Sequence, residues 1–200
     1  MQVKNKQVLS VLKDWENIDW NIDLVSNPRF GPRQPFWDIN DYDEISKLTT
    51  SDEYIKDILK GADPRYYSVT NVFGDEPYGK YIFDNMPFDY DHRYTSIYNP
   101  KGFVGWHNDI DSTPDEWLIL MSYSPQGDGF YKDYNLKTGE IIRTNDKVGW
   151  NFKRNHIGSQ DEIYWHCAYA PSPRYTWLFG FETEEKYSKA VNFVSNDATI

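Results

Sequence analysis

The chain holds four histidines, His92, His107, His156 and His166, and two of them have neighbours with metal-binding chemistry. His107 lies in the run Trp106-His107-Asn108-Asp109. On a strand, side chains two apart share a face, so His107 and Asp109 can reach one ion while Trp106 and Asn108 point away. Such a His-x-Asp pair is a weak signal by itself. It gains weight from Trp165-His166-Cys167-Ala168-Tyr169, which is followed by Pro171-Ser172-Pro173 and then Arg174-Tyr175-Thr176-Trp177. The interval between His107 and His166 leaves room for about four short strands, enough to separate distant parts of one β-sandwich wall. Two imidazoles and a carboxylate occupy one face of an iron ion and leave the opposite positions open for a co-substrate and oxygen. The candidate ligands are therefore His107, Asp109 and His166.

Strand alternation divides the last run as well. Arg174, Thr176, Leu178 and Gly180 fall on one face, and Tyr175, Trp177, Phe179 and Phe181 on the other. The first face carries a cation and a hydroxyl; the second is large and apolar. Arg174 and Thr176 are expected to point into a cavity, where a planar guanidinium can take a carboxylate bidentately and a hydroxyl adds a further hydrogen bond. The ring-bearing face is then expected to pack under the N-terminal helices.

Other chemistry-bearing residues read as structural. His92, in Asp89-Tyr90-Asp91-His92-Arg93, sits among charges and is expected to be solvated or to cap a turn. His156, in Lys153-Arg154-Asn155-His156, reads as a loop residue and not a third imidazole ligand. Cys167 would face away from a metal on its neighbour His166, and reads as a core residue. Asp111 opens the polar turn Asp111-Ser112-Thr113-Pro114 and is expected to be exposed.

The elements that must position these residues follow from periodicity. Val8, Val11, Leu12 and Trp15 recur at helical spacing, which predicts an amphipathic helix over 4–16. Tyr42, Ile45 and Leu48, then Tyr54, Ile55, Ile58 and Leu59, predict one broken or two short helices ending at Gly61. Between them, Asn27-Pro28, Gly31-Pro32 and Gln34-Pro35 remove backbone donors and predict a loop over 27–37, a candidate lid carrying Arg29 and Arg33. After Arg65 come short alternating runs over 66–73, 94–98, 102–109, 117–123, 139–143, 149–153 and 174–181. Turn-formers such as Pro100-Lys101-Gly102, Gln126-Gly127-Asp128-Gly129, Thr138-Gly139 and Asn145-Asp146 separate them, as in an all-β sandwich or barrel. No internal repeat or like-charge block divides the chain, so a single domain over 1–200 is expected, mainly β with N-terminal helices.

Composition narrows the function classes. The single cysteine excludes an intramolecular disulfide and any CxxC motif, which points to a reducing compartment. A chain of 200 residues can bury a sizeable core without a structural metal, so a metal here would serve chemistry. Neither a signal-peptide core nor a long uncharged apolar stretch is visible, and the expected location is cytoplasmic, with no membrane contact. A formal charge of -10 disfavours nucleic acid as a partner.

Together His107-Asn108-Asp109, His166 and Arg174-Tyr175-Thr176 resemble the Fe(II)/2-oxoglutarate-dependent dioxygenase superfamily, whose pattern is His-x-Asp, a distant His, and an Arg followed two residues later by Ser or Thr. The likeness covers roughly 94–182 and points to the prolyl-hydroxylase-like branch. There, Tyr98-Asn99-Pro100-Lys101-Gly102 leads into His107 as a similar tyrosine and glycine segment leads into the family motif. The resemblance implies a double-stranded β-helix, or jelly roll, buttressed by helices, with a core over 91–185 behind a helical or mixed portion over 1–90. It implies Fe(II) on His107, Asp109 and His166, and 2-oxoglutarate held by Arg174 with Thr176 and Tyr98. It also implies O2 as oxidant, ascorbate as a possible reductant, and hydroxylation of a peptide side chain or small molecule with release of succinate and CO2. The chain departs from the pattern at Gly127-Asp128-Gly129-Phe130, where the usual second glycine-plus-acid arrangement is altered, and at 146–150, which lacks the proline of the corresponding turn. The alternatives are a metal-binding cupin-type jelly roll that uses no 2-oxoglutarate, and an aromatic-lined carbohydrate-binding sandwich.

Overall fold

The computed structural model describes residues 3–20, 47–61, 67–68, 70–72, 77–108, 116–157 and 164–196. Among these described residues ten strands and four helices are defined. In chain order they are α1 (Lys6–Glu16), α2 (Asp52–Ile58), β1 (Tyr67–Ser68), β2 (Thr70–Val72), α3 (Pro77–Asn85), β3 (His92–Tyr98), β4 (Gly102–His107) and β5 (Glu116–Ser124). There follow β6 (Phe130–Asn135), β7 (Glu140–Asn145), β8 (Gly149–Ile157), β9 (Trp165–Ala170), β10 (Arg174–Phe181) and α4 (Glu184–Ser195).

The strands form two antiparallel sheets. The first, sheet A, has the order β1-β4-β9-β6-β7; the second, sheet B, has the order β2-β3-β10-β5-β8. Counting β3 to β10 as strands one to eight, sheet B reads 1-8-3-6 and sheet A reads 2-7-4-5. That interleaving is the jelly roll, and β1 and β2 each extend one sheet by a short strand. Because consecutive strands mostly change sheets, residues far apart in sequence become neighbours. In this way β4 meets β9, and His107 stands opposite His166.

Sheet B has two unlike faces. Its outer face carries Ile97, Ile119, Met121, Phe152, Trp177, Phe179 and Phe181, all buried with Val8, Leu12 and Trp15 of α1, Ile82 and Phe83 of α3, and Val191 and Val194 of α4. The expectation for the ring-bearing face of β10 thus holds, with α4 joining the N-terminal helices as cover. Trp15 is the hub: the rings of Trp20, Tyr123, Trp150, Tyr175 and Trp177 all lie 5.1–5.7 Å from it, mostly edge-on. The outer face of sheet A is smaller. There α2 lays Ile55 and Ile58 on Trp106, Trp165 and Cys167.

The helices start where their caps dictate. The Asn5 side chain accepts the Gln7 and Val8 amides at the head of α1, and Ser51 accepts the Tyr54 amide at the head of α2. Helix α3, which the periodicity reading did not include, carries Pro77 and Gly79, two residues poor in helix interiors. Proline is tolerated in a first turn. Glycine is required at 79 by proximity, since a Cβ there would lie 2.9 Å from Thr95 Cγ2 of β3. Part of the predicted helix around Tyr42 and Ile45, and the predicted loop over 27–37, lie outside the described residues.

Candidate functional site

The space between the sheets is where the predicted residues converge. His107 ends β4 and His166 is the second residue of β9; the register pairs them, and their ring centroids are 4.1 Å apart. An irregularity in register between Val104 and His107 makes this possible. Strict alternation would place Val104 and Trp106 on one face. Instead Val104 packs in the interior near Ala168, while Trp106 goes to the outer cluster under α2. Trp106 is held there by donating its indole N–H to Ser51 O at 2.7 Å.

His107 Nδ1 lies 2.8 Å from Gly105 O. A carbonyl can only accept, so Nδ1 donates in this contact, and in a neutral ring that leaves Nε2 as the nitrogen able to ligate a metal. His166 is flanked by two rings, Tyr131 at 5.4 Å and 11° and Tyr164 at 4.9 Å and 25°. Stacking against these two rings fixes the plane of this imidazole. The third predicted ligand, Asp109, lies outside the described residues, as does Asp111. Among the described residues no group of three His, Cys, Asp or Glu side chains is arranged to hold a metal.

Arg174 opens β10 on the interior face and is 2% exposed. Its guanidinium stands 5.2 Å from the ring centroid of Tyr98, the residue opposite it on β3. The bidentate edge of Arg174 already faces a carboxylate belonging to the protein: Nε donates to Asp146 Oδ2 at 2.8 Å, and Nη2 approaches Asp146 Oδ1 at 3.4 Å and Ser122 Oγ at 3.3 Å. Nη1 is buried and has no hydrogen-bond partner among the described residues. Thr176 also faces inward, 7% exposed, but its hydroxyl donates to Ser96 O at 3.1 Å, so it braces β10 against β3.

Between the histidines and Arg174 lies a polar cluster that sequence reasoning did not single out. Lys153 of β8 is ion-paired with Asp133 of β6, and Tyr164 donates to the other oxygen of the same carboxylate. Tyr131 and Tyr164 hydroxyls are 3.2 Å apart, and Asn155 donates to Tyr131 at 3.4 Å. Lys153 Nζ is 3.7 Å from the Tyr131 ring centroid. Burial pulls the Lys153 pKa below the ordinary lysine range; Asp133 opposes that shift and the charge of Arg174 adds to it. Both cations therefore share one cavity. A cleft of about 940 Å³ reaches it, bordered by Ser122, Tyr131, Asp146, Asn151, Lys153 and Arg174. The available signal was the inner face of β8, where Asn151, Lys153 and Asn155 place polar groups at a period of two.

The remaining residues fall as follows. His92 is half-exposed, 3.4 Å from Glu182, as expected of a solvated residue. Cys167 is fully buried on the outer face of sheet A, and burial pushes its thiol pKa well up, so it is an unreactive core residue. His156 is not in a loop; it lies on β8 with its ring stacked on Trp117 at 3.9 Å and 17°, on the face away from the cavity. The polar run Lys153-Arg154-Asn155 disguised that strand.

Strand order, inward-facing histidines and a buried arginine together define a jelly roll with a polar inter-sheet cavity. No family model matches the sequence, and no curated protein matches it. Among solved structures, a prolyl-4-hydroxylase from Pseudomonas putida aligns over 88% of this chain and 100% of its own, at 12% identity and TM-score 0.36. A predicted oxalate decarboxylase from Thermotoga maritima aligns over 57% and 78%, at 13% identity and TM-score 0.32. The cysteine peptidase Peruvianin-I from Thevetia peruviana latex aligns over 81% and 85%, at 14% identity and TM-score 0.39. Two other matched structures are spanned over only 62% and 27% of their length. Scores below 0.5 carry no functional argument, and the jelly-roll assignment rests on the strand order above. No helix among the described residues is long and apolar enough to cross a membrane.

Proposed function

We propose that the protein is a non-haem Fe(II) and 2-oxoglutarate-dependent oxygenase that hydroxylates a peptide side chain or small molecule, with iron on His107, His166 and Asp109. The observation that carries this reading is the His107–His166 pair on the inner face, with the His107 tautomer suited to metal ligation. Two imidazoles side by side fit the donor set of a facial site, and the buried Nη1 of Arg174 fits an anion. Once bound, iron and 2-oxoglutarate would supply the oxidising chemistry, with succinate and CO2 as by-products. The chain's own part is to hold the partners in place. Tyr131 and Tyr164 keep the His166 ring in plane, Arg174 and Tyr98 receive the far carboxylate, and the two sheets exclude water.

His107→Ala and His166→Ala are expected to lose tight Fe(II) binding, measured by anaerobic titration, while the far-ultraviolet circular dichroism stays that of wild type. His92→Ala and His156→Ala should keep the metal. Wild type with Fe(II), ascorbate and O2 is expected to convert 2-oxoglutarate slowly to succinate even without a prime substrate. Metal binding without any succinate would favour a second reading, a cupin-type jelly roll that uses no 2-oxoglutarate. What supports that alternative is Asp146, which fills the bidentate edge of Arg174.

A further inference from the structure

Asp146 sits in the turn between β7 and β8, at the edge of both sheets, yet its side chain is turned inward and only 5% exposed. Its neighbour Val148 is 73% exposed, so water is one short turn away. The inward rotamer has a space kept for it. A Cβ on Gly129 would lie 2.5 Å from Asp146 Oδ2, so any larger residue at 129 would collide with the carboxylate in its present place. The backbone on which Asp146 would rotate is pinned separately: its N–H donates to Gly129 O at 2.9 Å, and the Lys147 N–H donates to Asn151 Oδ1 at 2.8 Å. The side chain can therefore leave by rotating about its own bonds.

The donors of Arg174 are divided unevenly. Asp146 takes Nε and shares Nη2 with Ser122, while Nη1 has no acceptor among the described residues. A carboxylate entering from the cleft cannot form a two-point fork on the Nε/Nη2 edge while Asp146 is there. Two carboxylates on one guanidinium would also repel each other in a site of low dielectric.

We infer that Asp146 is a built-in stand-in for the ligand carboxylate: it neutralises Arg174 in the empty protein and swings outward when a planar carboxylate takes its place. This rests on the reading that Arg174 receives the co-substrate's carboxylate. The exchange explains how a buried guanidinium stays paired before the ligand arrives. It also confers selectivity, because only a ligand that replaces both contacts with Asp146 recovers what the exchange gives up. A dicarboxylate end does so; chloride, which cannot fork, does not.

The test is binding measured calorimetrically on the full chain with two probes, 2-oxoglutarate with Mn(II), and glutarate alone, which reports on the arginine end without the metal. Asp146→Asn should bind both probes at least about tenfold more tightly than wild type, since it leaves Arg174 without a competing charge. Gly129→Ala keeps every charge but crowds the inward rotamer, and should tighten both by a smaller factor. Should these variants fold poorly, the Arg174 Nε–H resonance of the wild type carries the test. It is expected to shift on glutarate addition, with faster amide exchange at Lys147 and Val148. Equal or weaker binding in Asp146→Asn, or an unmoved Nε–H signal at saturating glutarate, would overturn the exchange and leave the co-substrate reading standing. If neither wild type nor variants bind either probe, the co-substrate reading itself falls, and the exchange with it.

Discussion

The two faces of sheet B make opposite use of the same strands. Outward from β10 and β5 stand Trp177, Phe179, Phe181, Ile119 and Met121, dry and interlocked with three helices. Inward stand Arg174, Thr176 and Ser122, with Asn151, Lys153 and Asn155 beside them on β8, a polar end of the face that continues into Leu178, Leu120 and Leu118. Alternation of side chains puts the two sets within one residue of each other. The difference shows that most of the stabilising apolar burial lies outside the jelly roll, under the helices. The inter-sheet space can then afford charges and a cleft. Small residues on the facing sheet, Ala168 and Ala170, help keep that space open.

Substitutions on each face should separate stability from binding. Phe179→Ala is expected to have the largest effect on stability. The ring is fully buried and meets Phe83, Phe88 and Tyr90 at 5.1–5.3 Å, so its loss should cost about 3–5 kcal/mol in urea unfolding. The folded fraction should bind glutarate as wild type does; a large change in affinity would mean that the two faces are coupled.

The outer face of sheet A offers a gentler version of the same comparison. Cys167 neighbours His166 in sequence but points to the opposite side, toward Ile55 and Trp106. Cys167→Ala should cost about 1 kcal/mol, as expected for a small buried hydrophobe, and should retain metal binding and turnover. Loss of activity in a well-folded variant would show that the thiol has a chemical part.

The smallest effect belongs to a surface tie outside both faces. Asp91 accepts from Lys186 and from the Glu182 N–H at 2.9 Å, joining the start of β3 to the region of α4. The Lys186 hydrogen bond and then the Glu182 amide hold the Asp91 carboxyl pKa below its usual range. A carboxyl whose folded pKa is lowered stabilises above its unfolded pKa, and the contribution is lost as pH falls through the folded one. Asp91→Asn should therefore lower the melting temperature slightly at neutral pH, and the gap from wild type should close in acid. A gap independent of pH would assign the effect to packing.

Much of this molecule was legible along the chain. Helical spacing over 4–16 and alternation in 174–181 depend on local geometry alone, so they appeared without a partner, and the inward placement of Arg174 and Thr176 followed from counting by two. The β6–β7 hairpin was marked by its turn residues Thr138-Gly139. Strand β6 and the later part of β8 were not legible, because Asp133, Lys153 and Asn155 face a polar cavity and break the apolar alternation that reveals a strand. Helix α3 was hidden for the converse reason: its glycine is demanded by a close neighbour on β3, which no local rule can see.

By itself, then, the order of residues determined which side chains share a face, which segments could pair, and that one buried-type arginine would accompany two histidines. Only the tertiary structure decided who neutralises that arginine. Asp146 lies far from Arg174 in sequence and reads locally as a turn residue, because ion pairing depends on distance through space, and the jelly roll alone brings the β7–β8 turn to the mouth of β10. The same holds for His107, whose face is set by an irregularity in the β4–β9 register. A periodic pattern cannot announce the place where its own period slips.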